Sequence, residues 1–277
     1  MGWKPPAGFN MPPRAESRRL ATRRLGTPES GEESRYPPRQ LGDLDVNSLS
    51  PLALTNTVTG FATLIAGALL ALMSSLTGTQ PLRWRAAYAW IGVVGIATIG
   101  SHGIGEPTGG RAAAFWGFAD VGSNLVLGWA IVFALLADSP PSAGTRAVRA
   151  GIALLNAVGL IHGVAERVFP AASAALAFAS AGGLSFGELA IALDYLVLVV
   201  LLVRERERMP ARARRLLGAL GAMGLLALPL AAQANDALGQ GVFAYHALWH
   251  LIGAFALCVL WVINEIRFEE KLLVPRP

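Results

Sequence analysis

From Leu52 to Asn264 the apolar residues come in long, nearly unbroken blocks separated by short polar stretches. Each block is long enough to cross a hydrocarbon core of about 30 Å at a helical rise of about 1.5 Å per residue. The blocks lie roughly over residues 52–77, 86–105, 112–137, 148–168, 172–203, 215–233 and 241–265. This pattern predicts an all-α integral membrane bundle of seven transmembrane helices. The fifth block is too long for one straight crossing and holds Gly182 and Gly183, so an interfacial stretch is expected first and a crossing from about Leu184. Gly95, Gly100, Gly151, Gly159, Gly218 and Gly221 suit helices that must approach closely, because lipid gives no hydrophobic drive to helix association.

Composition agrees with lipid as the solvent: 53% of residues are hydrophobic and 15% charged, with a mean hydropathy of +0.48. Residues 1–46 lack apolar periodicity and read as a disordered tail, with neither the apolar segment of a signal peptide nor the acid-poor composition of a transit peptide. Residues 47–270 then form the seven-helix domain and residues 271–277 a short cytoplasmic tail. A pI near 10.0 would suggest nucleic acid in a soluble protein. Here the basic residues sit in the tail and between the blocks, where membrane orientation accounts for them and no nucleic-acid partner is required. One set of connections carries Arg83, Arg85, Arg146, Arg149, the arginines from Arg204 to Arg215, Arg267, Lys271 and Arg276. The other set carries only Arg111 and Arg167. The C-terminus is therefore expected inside and, with seven spans, the N-terminus outside. Richness in Ala, Leu, Gly and Arg hints at a GC-rich bacterial genome and so at the bacterial inner membrane.

Candidate chemistry is concentrated at one depth. The chain has four histidines, His102, His162, His246 and His250. His102 and His162 close the second and fourth blocks, Asp120 lies about two turns into the third, and His246 with His250 opens the seventh. Alternating crossings put all of them in the same leaflet. His246 and His250 are four residues apart, so a helix projects both imidazoles from one face. With His102 from another helix they supply three nitrogen ligands and leave a position for water, as in catalytic zinc sites. Zinc there would bring the pKa of that water to about 7. Asp120 is then the general base, and Thr98 and Ser101 are the nearby hydroxyls able to support the site or polarise a carbonyl. A carboxylate inside a span costs about 2.5 to 3.5 kcal/mol even on lenient scales, so Asp120 needs a partner within the bundle. Structural pairing answers that need as well as catalysis does. The single cysteine, Cys258, excludes both disulfides and thiolate metal sites.

The segment Tyr245 to Ala254, Tyr-His-Ala-Leu-Trp-His-Leu-Ile-Gly-Ala, resembles the last-helix motif of the alkaline ceramidases. These belong to a wider group of seven-span metal hydrolases that includes the progestin and adiponectin receptor family. In that group a Ser and a His near the end of the second span, an Asp in the third and two His in the seventh surround zinc. Thr98 with His102, Asp120, and His246 with His250 fall on those positions in the same order. The resemblance implies a zinc-dependent hydrolase that cleaves an amide or ester bond of a membrane lipid.

Two other functions fit the same residues. A receptor or sensor on this scaffold would bind lipid, and keep the metal, without rapid turnover. A transporter would use Glu188 and Asp194 of the fifth block, although the ionisable residues crowd toward one leaflet. His162, with Glu166 and Arg167, reads as an interfacial cluster first and a fourth ligand second. A retinal protein is excluded because the lysines, Lys4 and Lys271, both lie outside the spans.

Overall fold

A computed structural model describes residues 50–168, 186–232, 237–238 and 243–273. The tail over residues 1–46, the interfacial stretch ahead of Leu184 and the last four residues lie outside the described residues. Seven long helices are present among those described: α1 Pro51–Thr77, α2 Leu82–Gly100, α3 Gly110–Asp138, α4 Ala143–Val168, α5 Phe186–Glu205, α6 Ala211–Ala232 and α7 Tyr245–Leu273. A 3-10 turn, Arg206–Arg208, follows α5. Five of the helices (α1, α2 with its extension to Thr108, α3, α4 and α7) are long and apolar enough to cross a membrane. Large apolar side chains such as Phe61, Leu69, Leu76, Ile161 and Leu225 are exposed on the outside of the bundle. Water would penalise such a surface and a bilayer rewards it, so the chain is an all-helical, multi-span membrane protein.

Local signals explain where the helices start and stop. Ser50 caps α1 by accepting from the Ala53 N–H at 3.1 Å, Pro51 takes the first helical position, and Gly78 ends the helix at φ +64°. The second helix does not stop at Gly100. It continues through a π turn, Ser101–Gly105, and a last α turn, Glu106–Thr108. Gly109 and Gly110 then reverse the chain at φ +66° and +52°, a conformation that β-carbons disfavour. The seventh helix starts later than the hydrophobic block suggested, because Phe243–Ala244 (β2) pairs antiparallel with Ala237–Leu238 (β1) just before it. It also runs on past residue 265, since Arg267 and Phe268 are buried rather than part of a loop.

The α1 and α2 helices share the most extensive contact in the bundle. It depends on small residues: a Cβ on Gly67 would run into the Gly92 backbone, and one on Gly95 into that of Leu64. The tightest core lies toward the end of the bundle where α2 begins and α3 and α7 finish. Trp84, Tyr88, Ile91, Leu135, Leu202, Leu220, Leu260 and Ile263 are there almost fully buried. This dry packing fixes the helices at one end and leaves the opposite end, where α2 finishes and α3 and α7 begin, for the polar residues described next.

Candidate metal centre at the head of an apolar cavity

The π turn carries His102. A π turn adds a residue to the helical repeat and re-aims the side chains that follow it, and such turns concentrate at functional sites. The turn is held between its neighbours at close range. Gly100 packs on the Trp116 ring so tightly that a Cβ would collide with it. His102 is buried and points at the first two turns of α7, where His246 and His250 lie one above the other.

One nitrogen from each of His102, His246 and His250 falls in a group whose members lie within 4.8 Å of one another. The Nε2 atoms of His102 and His246 are 3.3 Å apart. Two ligand nitrogens bonded at about 2.0 to 2.1 Å to a tetrahedral zinc are separated by about the same distance. The opposite ring atoms are already engaged. His102 Nδ1 is hydrogen-bonded to Glu106, and His250 Nδ1 lies 3.1 Å from Thr59 Oγ1. The Thr59 hydroxyl has the Thr55 and Asn56 carbonyls as acceptors, each at 3.0 Å. His250 Nδ1–H therefore donates to Thr59, and His102 Nδ1–H to the Glu106 carboxylate. Both rings then present the bare Nε2 lone pair inward. A carboxylate or hydroxyl behind each imidazole is the usual support of a metal ligand. Three converging imidazoles without a thiolate suit zinc and other borderline divalent ions, so the donor set fits a metal.

The residues expected to do acid and base chemistry divide into two groups. Thr98 is buried and its Oγ1 donates to Asp120 Oδ1 at 2.6 Å. Asn124, one turn further along α3, donates from Nδ2 to the Asp120 carbonyl at 3.0 Å and to Oδ1 at 3.4 Å. Thr98, Asp120, Asn124, His246 and His250 all line one cavity of about 210 Å³. Its remaining wall is largely aliphatic, extending to Leu198, Leu220 and Leu260. Ser101 is partly buried and does not line this cavity. His162 stands apart from the metal group and packs its ring on Phe186 at 5.5 Å. Asp194 is buried on α5, hydrogen-bonded to Asn156 of α4, and lines the cavity. The side chains of Glu166, Arg167 and Glu188 lie outside the described residues. Trp249 stacks edge-on against His246 at 5.3 Å and also lines the cavity, so it belongs to the site wall.

Glu106, Thr59 and Asn124 were not singled out from the sequence. Glu106 was detectable in principle, since His102 and Glu106 are four residues apart and a helix brings them together. Thr59 was not, because only the packing of α1 on α7 brings it to His250.

The fold and its site thus define an all-helical, multi-span membrane protein with a three-histidine group able to hold a metal ion. No protein family, curated protein or solved structure matches the chain.

Proposed function

We propose that this protein is a zinc-dependent intramembrane hydrolase, similar to the alkaline ceramidases, that cleaves an amide or ester bond of a membrane lipid. One observation carries the reading. Three imidazoles from two helices converge, two of them (His102 and His250) with Nδ1 supported from behind, and His246 and His250 line an apolar cavity that also holds a Thr–Asp pair. A site for a structural ion needs no such cavity.

When bound, zinc supplies Lewis acidity, which acidifies water and polarises a carbonyl at neutral pH. The rest falls to the chain. His102, His246 and His250 would hold the ion, while Glu106 and Thr59 fix the His102 and His250 rings in the ligating tautomer. The Thr98 hydroxyl and the Asn124 amide orient the Asp120 carboxylate. Asp120 takes a proton from the attacking water and returns it to the leaving nitrogen or oxygen, so that amide and water become acid and amine. The aliphatic wall receives the lipid chain and excludes bulk water from the carboxylate. Seven crossings with the N-terminus outside and the C-terminus inside, in a bacterial inner membrane, complete the proposal. The basic connections support this orientation.

Purified protein is expected to contain about one zinc per chain and to release fatty acid from lipid amides. His246→Ala is expected to lose both. A metal-free wild type of normal stability would end the proposal. Full zinc loading without products from a panel of lipid amides and esters would favour a receptor on the same scaffold.

A further inference from the structure

One side chain of α3 touches both ends of the turn that carries His102. At the near end, Gly100 faces the six-membered ring of Trp116, with which any Cβ on Gly100 would collide. At the far end, a Cβ on Gly105 would meet Trp116 Cβ at 3.2 Å and the Ala113 Cα at 3.3 Å. On the α1 side, a Cβ on Gly103 would meet the Thr57 methyl at 3.1 Å. His102 lies between the two Trp116 contacts, and the turn is enclosed by α3 and α1.

Such enclosure is needed because the turn has little local reason to form. A π turn bonds residues five apart rather than four and is rare as an isolated preference. Glycine is the poorest helix former after proline, and Gly103 and Gly105 are two of the five residues of Ser101–Gly105. Tertiary contact must therefore hold the π winding. A return to α-helical winding would rotate the side chains of the turn about the helix axis. Of the three imidazoles only His102 comes from outside α7, so the group exists only while this turn keeps its register. Trp116 and Asp120 are four residues apart and share a face of α3. That face meets α2 twice, through Asp120 at Thr98 and through Trp116 at Gly100. Trp116 itself borders an outer apolar groove with Trp90 and Phe118 and does not line the cavity.

We propose that Trp116 is a positioning residue of the metal centre. Its indole, seated on Gly100 and Gly105, holds the π turn in the register that aims His102 at His246 and His250. It touches neither the ion nor the lipid and acts through His102. The inference rests on the metal-centre reading but not on hydrolysis.

The test is zinc affinity, measured per folded molecule by competition with a chelator, for full-length wild type, Gly100→Ala, Trp116→Phe and the double variant. Gly100→Ala pushes either the turn off the ring or the ring off the turn. Both break the seat, and zinc binding is expected to weaken about 10- to 100-fold, as for loss of an outer partner of a ligand. Trp116→Phe is expected to fall toward the lower end of that range. In the double variant the smaller ring makes room for the added methyl, so zinc is expected to bind more tightly than to Gly100→Ala alone. Two independent packing defects would instead add. Wild-type affinity in Gly100→Ala, or additive losses in the double variant, would overturn the positioning role and leave the metal centre standing. If Gly100→Ala does not fold, Trp116→Phe decides alone, and unchanged affinity there overturns the role. A wild type that binds no zinc would overturn the metal centre and this inference with it.

Discussion

The two ends of the helix bundle both bury polar side chains, and they treat them in opposite ways. Where α2 begins and α3 and α7 finish, the polar groups are tied to one another. Asp138 is bonded to Arg83, accepts from Trp84 Nε1 at 3.0 Å and meets Arg267 Nη2 at 3.5 Å. Arg267 donates in turn to Asn264 Oδ1 at 2.6 Å, Asn264 to the Tyr88 hydroxyl at 3.0 Å, and Tyr88 to Gln80 Oε1 at 3.0 Å. Glu265 closes the chain by accepting from Thr79 at 2.6 Å and Gln80 at 2.9 Å. Donors and acceptors alternate along the whole series. At the other end, Glu106 and Thr59 back the His102 and His250 rings, and the three imidazoles converge with the Nε2 atoms of His102 and His246 3.3 Å apart. A closed network of this kind clamps helices together; three converging imidazoles can hold a cation. Polarity within a membrane bundle is therefore not itself a sign of function.

That contrast predicts two separable kinds of damage. The largest effect is expected from His246→Ala, which should reduce zinc from about one per chain to background and abolish hydrolysis while the helices remain folded. Added zinc should then raise the unfolding temperature of wild type and leave that of the variant unmoved. A variant that keeps its zinc would erase the distinction between the two ends. Next is Asp120→Asn, for which kcat should fall by about 10²- to 10⁴-fold with zinc retained; loss of zinc instead would make Asp120 part of the metal support. At the clamped end, Asp138→Ala leaves the buried Arg267 without its carboxylate and should cost about 3 to 5 kcal/mol of stability. Metal content per folded molecule should not change, and a fall in zinc affinity there would show the two ends to be coupled. The smallest effect is expected from Glu106→Gln, which should weaken zinc binding by about 10- to 100-fold in a competition with a chelator. Unaltered affinity would reduce Glu106, whose side chain is 47% exposed, to a surface partner of His102.

Much of the architecture was legible in the chain because lipid imposes a simple rule: a span must be a helix, and it must be apolar along most of its length. The blocks around residues 52–77 and 112–137 therefore fall within a residue or two of α1 and α3. Where block and helix disagree, the cause is a contact that hydropathy does not encode. The bridge between Phe243–Ala244 and Ala237–Leu238 delays α7. At its other end, burial against Asp138 and Asn264 turns Arg267 from a loop charge into part of the clamp, which removes it from the set of free basic residues used to orient the chain.

The candidate site divides along the same line. Local spacing, together with the alternation of crossings, was enough to put His102, Asp120, His246 and His250 at one depth, since depth follows from position along a span of fixed rise. Which residues turn toward each other was decided only in three dimensions. Rotation about a helix axis changes a side chain's neighbours without changing its depth, and it is set by packing against the other helices. Packing brought Thr98 to Asp120, put Thr59 behind His250, left His162 on Phe186, and gave Asp194 a place in the cavity wall.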